Sequence, residues 1–509
     1  MDEMSMTELR EQLRLLEAKV ARHEEQLRSL SLMLNAQGRI FEVSRWTPSA
    51  SAGVKETLPP EIEVQRVEFT AEKPHNKVEA LRNTVFGQFY LKHLKQNSFV
   101  RWVVLWLWRN GYPVYANVRA HLSGNKNQSW RGLSSHKEYI ADNNLAVKVL
   151  VKEERVDTPA PRVLPASDQE YLVSPHEAYT YPKIYTFFLN QATVYGGTNL
   201  VLVDNKVLHH DLYDFTRDYT SEELHGRLIL DKDFSRARWV SHDPLPEVIP
   251  VAASFLDSCA SNYAHWMTEV LPRVAVFCAD DDYKDVPILV NDGLHPNLMQ
   301  SLRVVSGNDR KIIALPTGKA ATVGQLFITS VAGYVPFERR PNALGEHSHG
   351  LFSPAAFDLL KLRSNSFAAE SGGDWPEKII LRRRTGARLV SNFADLESAL
   401  VPKGFKVVET EGLSFIEQVA LFSRAKVIIG SSGAALASLV FAPKDAQIFI
   451  LISKFPDTSY WYWQNMACSS GKKVNYVLGT ADSTGKGIHA DFSIDLKNFL
   501  VELDADIPA

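Results

Sequence analysis

Between residues 378 and 478 short apolar runs alternate with longer amphipathic ones, and nothing else in the chain restricts its fold so strongly. Residues 378–381, 405–409, 426–429, 447–451 and 474–478 read as strands. Helices near 394–401, at 415–424, from about Ala434 and through an aromatic stretch before the last strand separate them. Strands that are apolar throughout are buried on both faces, and a helix between successive strands makes the sheet parallel and doubly wound. Upstream the pattern is α/β but less regular. Strands are expected at 286–290, 311–314 and 326–329, helices at 262–279 and 296–305, and a hairpin over 200–208 turning at Asp204 and Asn205. A helix and then a polar hinge occupy 352–375, where Ser371, Gly372 and Gly373 permit a boundary.

The N-terminus follows a different period. Met6, Leu9, Leu13, Leu16, Val20, His23, Leu27, Leu30 and Leu34 alternate steps of three and four, with charged residues around them. That is a heptad seam, which suits a homo-oligomeric coiled coil over 1–36 or a single helix docked on its own domain. Residues 48–60, rich in Ser, Ala and Pro, read as a linker. Beyond it Arg101 and Arg109 bracket seven apolar residues that include Trp102, Trp106 and Trp108. Such a helix fits peripheral contact at a membrane interface, and it equally fits burial in the protein body.

Composition excludes several classes. Lys plus Arg number 56 against 59 Asp plus Glu, so the 509-residue chain carries a formal charge of only −3 and no bulk attraction for nucleic acid. Three Cys, none paired at metal spacing, support neither a disulfide framework nor a zinc site and fit a reducing, cytoplasmic setting. No run reaches the roughly 18 apolar residues of a membrane span.

Three motifs carry candidate chemistry. First, an apolar strand runs into Gly430, Ser431, Ser432, Gly433 and Ala434, then a helix. Free backbone N–H groups at such a turn can cradle phosphate, although Gly-Ser turns also serve merely to bring a helix close to a strand. Second, Arg382, Arg383, Arg384 and Arg388 follow strand 378–381 and place four guanidinium groups in one βα loop. Arg suits bidentate phosphate binding, and a solvated basic loop is the alternative. Third, Asn262, His265, Glu269 and Arg273 are spaced by three, four and four, on one helical face of an apolar segment. His and Glu are common general bases; a structural network pairing Glu269 with Arg273 would satisfy the same residues. Asp280, Asp281 and Asp282 read as a solvated turn, His347 and His349 lack further ligands, and Ser414 with Glu417 is a capping box.

Taken in order, these motifs resemble glycosyltransferase family 61. The run from Asn262 to Arg273 resembles that family's signature, as do Lys378–Leu381 with Arg382, Arg388 and Asn392, then Leu413, Ser414, Phe415 and Gln418, and finally Gly430 to Pro443. Ser432 and Ser438 depart from it, standing where the family commonly has His and Asn. The resemblance implies a GT-B-like pair of Rossmann-type lobes, at 165–370 for the acceptor and 371–509 for a nucleotide-sugar, preceded by the coiled coil and by a linker and aromatic region over 37–164. It implies inverting transfer to a glycan without a cofactor or catalytic metal, in a bacterial, cytoplasmic member serving surface-polysaccharide assembly. His265 and Glu269 would be catalytic, and Asn262 and Arg273 would bind substrate. Arg382, Arg388, Glu417, Gly430, Ser432, Gly433 and Ala434 would hold the donor diphosphate. A catalytically silent coiled-coil scaffold, binding glycan or partner enzymes, is the alternative.

Overall fold

The computed structural model describes residues 130–506 and the strand Gln65–Arg66, apart from 172–176, 226, 240–242, 244–245, 341–349, 371–372, 385–386, 455–460 and 483–489. The expected coiled coil, the Trp-rich stretch, His347 and His349 lie outside the described residues. Two large sheets organise the rest, and the chain is α/β as expected.

The second sheet follows the sequence pattern closely. Lys378–Leu381 lies between Lys406–Val408 and Val427–Ser431, and beyond the latter come Gln447–Ser453 and Asn475–Ala481, all parallel. The chain leaves Lys378–Leu381 toward one side and returns to its other side, so a topological switch point lies between the ends of Leu381 and Ser431. Ligands of open α/β sheets bind in such crevices. One strand was not anticipated. Arg162–Leu164 arrives from far upstream and pairs in parallel with Asn475–Ala481, and Arg162 forms 2.6 Å ion pairs with Glu502 and Asp506.

The first sheet has a parallel core of Ile312–Leu315, Ile288–Asn291, Glu247–Ser254 and Ala320–Thr329. Glu247–Ser254 comes first in sequence and Ala320–Thr329 returns on its far side, so a second switch point lies at the carboxyl ends of these two strands. An extension then continues antiparallel through the twelve-residue strand Ile184–Tyr195 and the expected hairpin Val201–Val203 and Lys206–His209, then in parallel to Trp130–Ser135 and antiparallel again to Arg236–Trp239.

The sheets share a core. One apolar cluster runs from Val274, Phe277 and Leu302 beneath the first sheet, through Phe357 and Leu360 of the helix Pro354–Glu370, to Phe415, Val419 and Phe441 beneath the second. Polar ties reinforce the junction. Asn297 Nδ2 donates to Leu413 O at 2.7 Å, and Phe415 N donates to Gln300 Oε1 at 2.8 Å.

Among the described residues no helix is long and apolar enough to cross a membrane. No three His, Cys, Asp or Glu side chains among them are gathered to hold a metal ion.

Candidate active site

The stretch expected as one helix over 262–279 changes its winding twice. Asn262 caps it, accepting from Ala264 N at 2.9 Å; Tyr263–His265 is α, Trp266–Val270 is π, and Leu271–Cys278 is α again. Pro272 supplies a reason, because it has no amide to give to Thr268 O four residues back. The ladder widens, and Leu271 N–H bonds to Trp266 O. Gly333 packs on the Thr268 carbonyl, where a Cβ would stand only 2.0 Å from the oxygen, so no other residue fits there. π turns within α-helices are frequent at functional sites.

This helix presents His265 and Glu269 to a cleft at the first sheet's switch point, walled by Asn199, Asp257, Tyr334 and Phe337. His265 Nδ1 and Glu269 Oε1 are 2.7 Å apart. The alternative in which Glu269 pairs with Arg273 is not the arrangement that forms. Arg273 is buried beneath the pair with its guanidinium 5.4 Å from the Phe255 ring, and its Nε and Nη2 have no hydrogen-bond partner. Burial opposes a charged imidazole at His265, but the charge and hydrogen bond of Glu269, with Asp257 behind them, outweigh it and raise the ring above its ordinary value. Burial also raises Glu269, which the imidazole only partly offsets. The two side chains therefore titrate as a coupled pair.

Asp257 was missed by the sequence reading. It follows Glu247–Ser254 at the carboxyl end, the position from which parallel strands present ligand-binding groups. Its main chain is clamped twice by Asn291, through Asp257 N to Oδ1 at 3.1 Å and Nδ2 to Asp257 O at 2.8 Å. Its carboxylate accepts from Cys259 N at 2.8 Å and from Asn199 Nδ2 at 3.4 Å. His225 stands edge-on to Phe337, whose ring lies parallel to that of His265, and burial pushes the His225 pKa down to about 4.

The second cluster lies at the other switch point. Of the Arg loop, Arg383 reaches the glycine turn; a Cβ at Gly433 would come within 2.4 Å of its Nη1. Arg382 instead lies 5.0 Å over Phe393 with Nη1 3.5 Å from Glu397, and Arg384 pairs with Glu409 at 2.6 Å. Arg388 takes a left-handed backbone, φ 66°. Gly430 lies within the strand, opposite Leu381. Ser432 N is committed to Leu451 O at 2.9 Å, which narrows the expected backbone cradle to Gly433 and Ala434. The helix from Ala434 is 3-10 rather than α over Ala434–Phe441, with six of its eight residues buried, so packing overrides the α preference of Ala and Leu. Glu417 serves in the capping box, its Oε2 accepting from Ser414 N at 2.7 Å.

His265, Glu269, the Arg loop, the glycine turn and the helices between them belong to one recognisable segment. Residues 263–449 match the family model Glycosyltransferase 61. The match is to the family that the motifs resemble, and it supports assignment as a glycosyltransferase. No curated protein matches the chain.

Within the family-61 segment the two departing serines have structural partners. Ser438 Oγ lies 2.8 Å from Tyr263 Oη and 3.5 Å from Gln418 Oε1, joining the His265 helix to the helix Phe415–Arg424. Ser432 Oγ accepts from the buried Trp463 Nε1 at 2.9 Å. Ser432→Ala would leave that indole N–H without an acceptor and is expected to lower stability by about 1–3 kcal/mol, measured by denaturant unfolding.

Proposed function

We propose that the chain is an inverting glycosyltransferase, moving a sugar from a nucleotide-sugar to a glycan hydroxyl in bacterial surface-polysaccharide assembly. The observation that carries this reading is the His265–Glu269 pair at one switch point, in a segment whose other switch point holds Arg383 against Gly433. With Nδ1 engaged by Glu269, the Nε2 of a neutral His265 is the nitrogen that takes the acceptor proton. The acceptor oxygen attacks the anomeric carbon as its bond to phosphate breaks, and Arg383 with the Gly433–Ala434 backbone neutralises the departing diphosphate. Asp257, aimed into the same cleft, is the second candidate base. With guanidinium supplying the positive charge, no catalytic metal is required. Calorimetry against UDP-, GDP- and CMP-sugars tests the proposal: one donor should bind, and no nucleotide dependence at all would overturn it.

A scaffold without catalysis is the second reading, and one observation favours it. Both family positions changed to serine make bonds within the protein, Ser432 to Trp463 and Ser438 to Tyr263. The donor panel separates the two readings.

The pair also sets a pH dependence. A base must be deprotonated, and His265 is held above its ordinary value, so kcat/KM should rise with pH along an acid limb above about 6.5. Glu269→Gln removes the charge that raises the ring and leaves burial, which lowers it. The limb should move to lower pH in the variant; a limb that stays or moves upward would contradict the assignment of His265 as base.

A further inference from the structure

A second cleft opens on the extension of the first sheet and shares no lining residue with the one around His265. It encloses about 290 Å³. Tyr195 and Trp239 form its floor, their rings 5.0 Å apart and inclined at 49°, fixed from below in an apolar cluster with Leu200 and Val207. Arg131, Gln191, Thr193, Asp204 and Asp243 stand around that floor.

These polar groups are held by bonds made within the protein. Asp204 Oδ2 accepts from Tyr139 Oη at 2.9 Å, and Asp243 Oδ2 accepts from Ala320 N at 3.0 Å. Arg131 Nη1 reaches Asp204 O at 3.5 Å, while its Nε is buried without a hydrogen-bond partner. Gln191 takes φ 57° inside the long strand Ile184–Tyr195, a left-handed conformation that costs a non-glycine residue energy and that clusters at ligand sites. The transfer reaction uses none of these groups.

Their chemistry selects a ligand class. One guanidinium against two carboxylates disfavours phosphate and polyanions. Carboxylates, an amide and a hydroxyl offer donors and acceptors to a polyol. The volume sits at the low end of the roughly 300–1,000 Å³ typical of small-molecule sites, room for a mono- or disaccharide. We infer that this cleft binds a neutral saccharide, separately from the transfer centre. A glycan held there and presented to the catalytic cleft would gain effective concentration from the second contact. The inference stands on the cleft's own residues, since a chain without transferase activity would still bind sugar.

The test titrates the full chain with cellobiose, maltose, lactose and mannobiose, and with glucuronate and inorganic phosphate, by calorimetry and saturation-transfer NMR. At least one neutral disaccharide should bind, and Arg131→Ala and Gln191→Gly should each weaken it at least tenfold with donor binding unchanged. Gln191→Gly also relieves the left-handed backbone, so its melting temperature should hold or rise while sugar binding falls, a combination that a merely structural Gln191 would not give. Three results would each overturn the inference: no neutral disaccharide binds, both variants bind as the wild type does, or phosphate or glucuronate binds more tightly. Donor binding is measured separately, so a failure here is distinguishable from failure of the transferase reading.

Discussion

His265→Ala is expected to lower sugar transfer by about 100-fold or more, the range over which a positioned general base acts. The fold should survive the change, because the side chain keeps 20% exposure and makes its one described hydrogen bond to Glu269. Glu269 would then lose its partner while burial still favours its protonated form, so it could not simply take over as base. Asp257 could. Its carboxylate faces the same cleft, and its backbone is fixed by Asn291 whether or not His265 is present. Comparing initial rates of His265→Ala and Asp257→Asn with wild type, at saturating donor and with circular dichroism as the folding control, assigns the role. A loss confined to Asp257→Asn would move the base from the helix to the strand end, and near-normal rates in both would remove the general base from this cleft altogether.

How far this site could be read from sequence depended on the periodicity of each element. The strands around Ile379, Ile428 and Phe449 are buried on both faces, so continuous apolar runs announced them and the helix Phe415–Arg424 fell where expected. The first sheet's extension gave a weaker signal. Ile184–Tyr195 does not alternate regularly between buried and exposed positions, and Arg162–Leu164, three residues long, joins a sheet whose other strands lie more than 200 residues away. Pairing over that separation leaves no local trace. The spacing of His265 and Glu269 survived the π turn, because residues four apart still meet there, whereas Arg273 beyond it was carried under the pair. Pro272 was the available sign of that change in winding. Asp257 had no partner at a telling interval, and only its place after a strand of the parallel core could have singled it out. Among three consecutive arginines sequence cannot choose, since which one faces the turn depends on how the chain leaves the strand.

That choice gives the other large effect. Arg383→Ala should weaken donor binding by roughly 10- to 100-fold, as expected for losing charge-assisted bonds worth about 1.5–3 kcal/mol, while Arg384→Ala should have little consequence because Arg384 is exposed and already paired with Glu409. Gly433→Ala provides an independent approach to the same guanidinium. The added methyl would stand 2.4 Å from Arg383 Nη1, the far end of a flexible side chain, so the turn can persist by pushing the guanidinium aside. Gly433→Ala should therefore reproduce most of the affinity lost in Arg383→Ala with little change in melting temperature. In the double variant the two losses should not add, because both remove one contact. Calorimetry with the donor identified from the nucleotide-sugar panel measures all four variants. Additive losses would show that Gly433 meets the ligand through its own backbone, independently of Arg383. An unaffected Arg383→Ala would return the phosphate to Arg382 or Arg388.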